Sequence, residues 1–143
     1  MISPKPVMQA IADTGWLVAF WNARDVHHAW ARGLDITAPP LVCEAVLSEA
    51  AWLLGTPVPL LAMLRDGDLQ TAFSTEEETA ALLRWLAKYE DLDPGLADAC
   101  VVRMAELNPK RPVLTVDRRD FSIYRTLSGK AIECFFPPSQ RGS

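Results

Sequence analysis

The sequence predicts an α/β fold in which a parallel sheet is covered on both faces by helices. Two observations carry that prediction. Short apolar stretches bounded by turn residues alternate along the chain with stretches at helical spacing, the order that builds parallel sheets. Two of the apolar stretches also end directly on an aspartate, Asp13 and Asp117. The carboxyl ends of parallel strands are where such folds bind ligands.

Composition sets the frame. With 143 residues, half of them hydrophobic and 22% charged, the chain suits one domain, residues 1–143, around a substantial core. It is too apolar for a disordered protein. No apolar run reaches the roughly 18–20 residues that cross a bilayer. Met1 to Pro6 has neither the basic start nor the apolar stretch of a signal peptide. Cys43, Cys100 and Cys134 are odd in number and far apart. They are expected to be reduced core thiols of a cytoplasmic protein. The net charge of −4 is uneven: residues 1–102 hold 6 basic and 14 acidic side chains, residues 103–143 hold 8 and 4. A basic segment beside an acidic site can guide a phosphate backbone; it can equally be a solvated surface.

In chain order, Val7–Ala12 is a short apolar run that stops at Asp13 and is expected to be a buried strand. Thr14–Trp21 follows as a helix. Asp13 at that junction suits a site carboxylate, and it also suits an N-cap satisfying helix N–H groups. A second short helix starts at Val26. Its adjacent His27 and His28 point about 100° apart and do not easily face one ion. Trp16, Trp21 and Trp30 are core or partner surface rather than a base-stacking platform. Pro39 and Pro40 break the chain before a very short strand, Leu41–Val42. Cys43–Leu54 is the next helix. On it Glu49 shares a face with Ala45, Val46 and Leu53, either as a second site carboxylate or as an exposed acid beside a wide apolar stripe.

Gly55, Thr56 and Pro57 close that helix; Pro59–Leu64 begins another, which Gly67 ends. Leu69–Phe73 alternates as a strand. Ser74–Glu78 is expected to open a helix reaching Tyr89, with Glu76, Glu77 and Glu78 solvated in its first turn, where acids favour the helix dipole. Pro94 and Gly95 then mark the start of the helix that carries Asp98. Asp98 lies on a stripe with Val101, Val102 and Ala105, whereas Glu106 sits with Arg103 and Lys110 toward water. A carboxylate on an apolar stripe must neutralise, pair or hold a cation. Asn108–Pro112 is a basic turn, Val113–Val116 a buried strand ending at Asp117, Ala131–Phe136 the last strand, and 138–143 a frayed tail. Arg118 and Arg119 follow Asp117 either as phosphate contacts or as a solvated turn.

If the strands ending at Asp13 and Asp117 are parallel neighbours, both carboxylates stand on one rim of the sheet. The helices bearing Glu49 and Asp98 reach the same rim in their early turns. Four crowded carboxylates repel and raise one another's pKa values unless a cation joins them. Oxygen ligands without a thiolate or imidazole favour Mg2+ or Mn2+ over Zn2+.

Four segments then carry a family resemblance: Ala12-Asp13-Thr14-Gly15, Val46-Leu47-Ser48-Glu49-Ala50, Leu96-Ala97-Asp98-Ala99 and Leu114-Thr115-Val116-Asp117-Arg118-Arg119-Asp120-Phe121. In this order and spacing they resemble the acidic motifs of the PIN domain, most closely those of VapC-type toxins of bacterial toxin–antitoxin pairs. The resemblance covers nearly the whole chain. It implies a three-layer α/β/α sandwich with a central, mostly parallel sheet. It implies a Mg2+- or Mn2+-dependent endoribonuclease, a homodimer, and inhibition by a cognate antitoxin. Asp13, Glu49, Asp98 and Asp117 match the metal-binding catalytic quartet, Asp120 an auxiliary acid, and Thr115 a hydrogen-bond partner of a ligand carboxylate or water. The RNA is expected to be cut in single-stranded or loop segments, where its backbone is accessible. The flexible Asp93-Pro94-Gly95 start before Asp98 departs from the family pattern. A housekeeping PIN nuclease and a catalytically inactive PIN-like binding protein are the alternatives. A receiver domain would need paired acids after the first strand and a late lysine in context; only Asp13 follows that strand, and Lys130 lacks the context.

Overall fold

Pairing in the computed structural model joins β1 (Ile11–Ala12) to both β2 (Leu41–Val42) and β4 (Val113–Leu114), and all pairs are parallel. β3 (Gln70–Thr71) extends the sheet beyond β2, and β5 (Cys134–Phe135) extends it beyond β4, giving the order β3-β2-β1-β4-β5. The structure describes residues 9–139. The start of the expected first strand, Val7 and Met8, and most of the expected tail lie outside them.

Helices connect the strands, as parallel pairing requires. They are α1 (Thr14–Trp21), α2 (His28–Gly33), α3 (Glu44–Leu54), α4 (Val58–Arg65), α5 (Thr79–Lys88), α6 (Leu96–Leu107) and α7 (Arg118–Ile123). The residues of β1, β2 and β4 are buried on both faces, so the sheet is the middle layer of an α/β/α sandwich. Ile11, Leu17, Val46, Val101, Leu114 and Phe121 belong to the core between the layers. Gly55, at φ +81°, ends α3 in the left-handed conformation that glycine tolerates. Cys43 and Cys100 are buried thiols and Cys134 is half-buried; none forms a disulfide. No helix among the described residues is long and apolar enough to cross a membrane.

The elements differ from expectation in four places. The expected strands Val113–Val116 and Ala131–Phe136 pair only over Val113–Leu114 and Cys134–Phe135, whereas Leu41–Val42 is as expected; α1 and α3 begin two residues after β1 and β2 end, with Asp13 and Cys43 at the cap positions between them. Of Leu69–Phe73 only Leu69 is buried, and Gln70 and Thr71 form an exposed edge. α5 begins at Thr79 rather than Ser74, since Ser74 Oγ accepts the N–H of Glu77 and closes a separate turn first. Glu78 is half-buried rather than a free solvated acid: it accepts from Arg103, which also donates to Glu106 at 2.9 Å, and so ties the start of α5 to α6. Finally, Arg118–Ile123 is a helix where only a turn was expected. Its N-cap is Asp117, whose Oδ1 accepts the Asp120 N–H at 3.0 Å.

Gly15 is where α1 meets the end of β4. A Cβ there would collide with the side chain of Val116. Gly15→Ala is therefore expected to push α1 off the sheet and cost about 1–3 kcal/mol, seen as a lower urea midpoint with an unchanged slope.

Candidate active site

The sheet order reverses between β1 and β4: the chain leaves β1 toward β2 on one side and reaches β4 on the other. Such a switch point opens a crevice at the carboxyl ends of the two strands. Asp13 and Thr115 are the first residues beyond the paired register of Ala12 with Leu114. The Asp13 N–H donates to the Leu114 carbonyl at 3.0 Å, which holds the two strand ends together. Thr115 Oγ1 donates to Asp13 Oδ2 at 2.7 Å and accepts the Asp117 N–H at 3.0 Å. Asp13, Thr115 and Asp117 are thus joined in one hydrogen-bonded chain. Asp13 occupies the N-cap position of α1, but its side chain makes no capping bond; the carboxylate faces Thr115 instead.

Asp98 stands in the first turn of α6, after Gly95 has capped that helix in an extended conformation. Its Oδ2 accepts the Tyr124 hydroxyl at 2.8 Å. Asp13, Glu49, Asp98 and Asp117 line one cavity of about 250 Å³. Thr14 and Asp25 line it as well. The fold therefore brings all four predicted acids together. The tightest group is different: Asp98, Asp117 and Asp120 each offer a carboxylate oxygen, and the three lie within 4.8 Å of one another. Glu49 is exposed on α3 and Asp13 is buried beneath the cavity. Asp120 belongs here because α7 is a helix and places it three residues beyond its cap, Asp117.

Electrostatics follow from this crowding. Asp13 is only 5% exposed. Burial raises its pKa to about 7, the Thr115 hydrogen bond opposes that rise, and the charges of Asp98 and Asp117 add to it. Burial also raises Asp98, opposed by the Tyr124 hydrogen bond and reinforced by the charges of Asp117, Glu49 and Asp120. Asp120 is raised by burial and by Asp117. A divalent cation would relieve this repulsion, and the all-oxygen donor set suits a hard one. The Thr14 hydroxyl gives a further sign of fit: it is buried on the cavity wall and has no hydrogen-bond partner among the described residues.

Other candidates fall elsewhere. His28 Nδ1 lies 2.7 Å from the Ala19 carbonyl, so it packs α2 against α1. Arg118 stacks 4.6 Å from the centre of the Phe136 ring and donates to the Pro137 carbonyl; it braces the end of β5. Arg119 is exposed beside Asp120. Trp16 is buried in the core, whereas Trp52 is 81% exposed. The sequence reading missed two residues of this site. Asp25, on the loop between α1 and α2, carries no local pattern that distinguishes it from a turn residue. Tyr124 lies 26 residues from the carboxylate it touches.

The Asp13 shift has a measurable consequence. Between about pH 4 and about pH 7 the folded, cation-free protein keeps a proton on Asp13 that the unfolded chain has lost. Stability is therefore expected to fall as pH rises through that window. Asp13→Asn is expected to flatten the slope, read from urea midpoints at about pH 5 and about pH 8.

Ribonuclease VapC26 of Mycobacterium tuberculosis is 36% identical over 129 residues, covering 83% of this chain and 94% of that protein. No family model matches the chain. Identity at that level over most of both sequences, on a parallel sheet with an acidic rim, places this chain in the VapC family of PIN-domain ribonucleases.

Proposed function

We propose that this chain is a Mg2+- or Mn2+-dependent endoribonuclease, the toxin of a VapBC-type pair, with its single domain assembled as a cytoplasmic homodimer and silenced by a cognate antitoxin. The observation that carries the reading is the convergence of Asp13, Glu49, Asp98 and Asp117 on one cavity at the switch point of the sheet. Its relative is named a ribonuclease, and phosphodiester hydrolysis is a reaction that clustered carboxylates serve through a divalent cation.

Asp13 and Asp98 would hold the cation chiefly, with Glu49 and Asp117 completing the shell or orienting the attacking water. When bound, a hard divalent ion supplies Lewis-acid stabilisation of phosphoryl charge and acidifies water. The residues around it do the positioning. Thr115 orients Asp13 and is itself held by the Asp117 N–H. Asp120 adds a carboxylate oxygen beside Asp98 and Asp117. Arg119, exposed and beside Asp120, would meet a flanking phosphate, whereas Arg118 is committed to Phe136 and Pro137. Single-stranded or looped RNA suits an open rim site, since its backbone is accessible there.

Calorimetric titration of Mn2+ into the wild type and into Asp98→Asn tests the metal reading. The wild type is expected to bind saturably, and the variant to lose binding together with about a hundredfold or more of its cleavage of cellular RNA, with an unchanged circular dichroism spectrum. No binding to either protein would favour an inactive, partner-binding protein. Expression in a bacterial host separates toxin from housekeeping nuclease: a toxin is expected to arrest growth until the product of the neighbouring gene is supplied.

A further inference from the structure

Tyr124 is the residue whose surroundings the mechanism has not used. It is only 1% exposed and stands at the C-terminal cap of α7. Its ring is enclosed by three others: Trp85 at 4.9 Å, Phe121 at 5.3 Å and Tyr89 at 5.4 Å between centroids, all edge-on. Those neighbours are anchored in turn. Trp85 Nε1 donates to the Arg125 carbonyl at 2.9 Å, and the Tyr89 hydroxyl accepts the Arg125 N–H at 2.7 Å. The Tyr124 N–H donates to the Asp120 carbonyl at 2.9 Å, which ties its backbone to the helix carrying the auxiliary acid. Ring and backbone are therefore both held, and the hydroxyl has one defined place to point: Asp98 Oδ2, at 2.8 Å.

We propose that Tyr124 is a positioning residue for Asp98: its hydroxyl occupies one carboxylate oxygen, fixes the side chain's rotamer, and leaves the other oxygen free for a divalent cation. This rests on the proposed metal reading. The physical reason is that Asp98 lies in the first turn of a helix and, among the described residues, its side chain has neither a cationic partner nor a second hydrogen bond. An aspartate held only through its own Cα–Cβ bond samples several rotamers, and each unproductive one reduces ligand affinity. The aromatic cage thus transmits the rigidity of α5 and α7 to a ligand on α6.

The test compares Tyr124→Phe with Tyr89→Phe in the full chain. Each substitution keeps an aromatic ring and removes one hydroxyl from the same cage, but only the first of these hydroxyls touches an acid. Mn2+ affinity is measured by calorimetry, and stability by urea denaturation. Tyr124→Phe is expected to weaken Mn2+ binding about tenfold or more, while Tyr89→Phe stays within about twofold although it loses stability. Unchanged affinity in Tyr124→Phe overturns the proposal and leaves the metal site standing. Equal weakening in both variants also overturns it, since it marks general loosening of the cage. A wild type that binds no Mn2+ overturns the metal reading and this role with it.

Discussion

The arrangement of the acidic rim depends on the parallel pairing of β1 with β4. The two strands meet through the backbone, and the Asp13 N–H donating to the Leu114 carbonyl sets which residues emerge side by side. Those residues are Asp13 and Thr115. The switch-point crevice and the hydrogen-bonded chain from Asp117 through Thr115 to Asp13 follow from that register. A slip of one residue would send Thr115 to the opposite face of the sheet and take the Thr115 hydroxyl from the buried Asp13 carboxylate. Gly15 protects the same junction from the other side by letting α1 approach Val116.

Around this junction the carboxylates are held in unlike ways. Asp13 is buried and accepts from the Thr115 hydroxyl and the Thr14 backbone. Asp117 spends one oxygen on a helix cap. Asp98 is held by a phenol within an aromatic cage, and Glu49 is exposed. Burial and mutual repulsion push Asp13, Asp98 and Asp120 toward protonation. A cluster of that kind is destabilising as a bare assembly of charges and becomes favourable once a cation is shared. A folding core would gain nothing from such an arrangement. A site for a divalent cation would gain from it, because the cation would offset that repulsion.

Much of this was legible in the chain. Asp13 and Asp117 end apolar runs, and a carboxylate at the carboxyl end of a buried strand is conspicuous in a linear pattern. Asp98 was legible because it interrupts an apolar stripe at helical spacing. Glu49 was ambiguous for a physical reason: it sits at the edge of its helix's apolar stripe, and spacing does not distinguish an edge position from a rim position. The helix after Asp117 was not legible. It is six residues long, rich in charge, and stabilised by a cap whose side chain also reads as a site acid. The three acids after Ser74 were misplaced because local capping chemistry closed a turn before the helix began.

By itself the sequence determined the α/β class, the order of the strands and of the helices other than the one after Asp117, and which four acids were candidates, because each is written in local periodicity or at the end of a run. Only the tertiary structure decided how they meet. The sheet order that makes β1 and β4 neighbours arises from contacts about a hundred residues apart. Folding also brought Asp120 into the tightest carboxylate group, committed Arg118 to Phe136, and delivered the Tyr124 hydroxyl to Asp98. None of these pairings leaves a local signature, since each depends on where packed helices leave a side chain room to point.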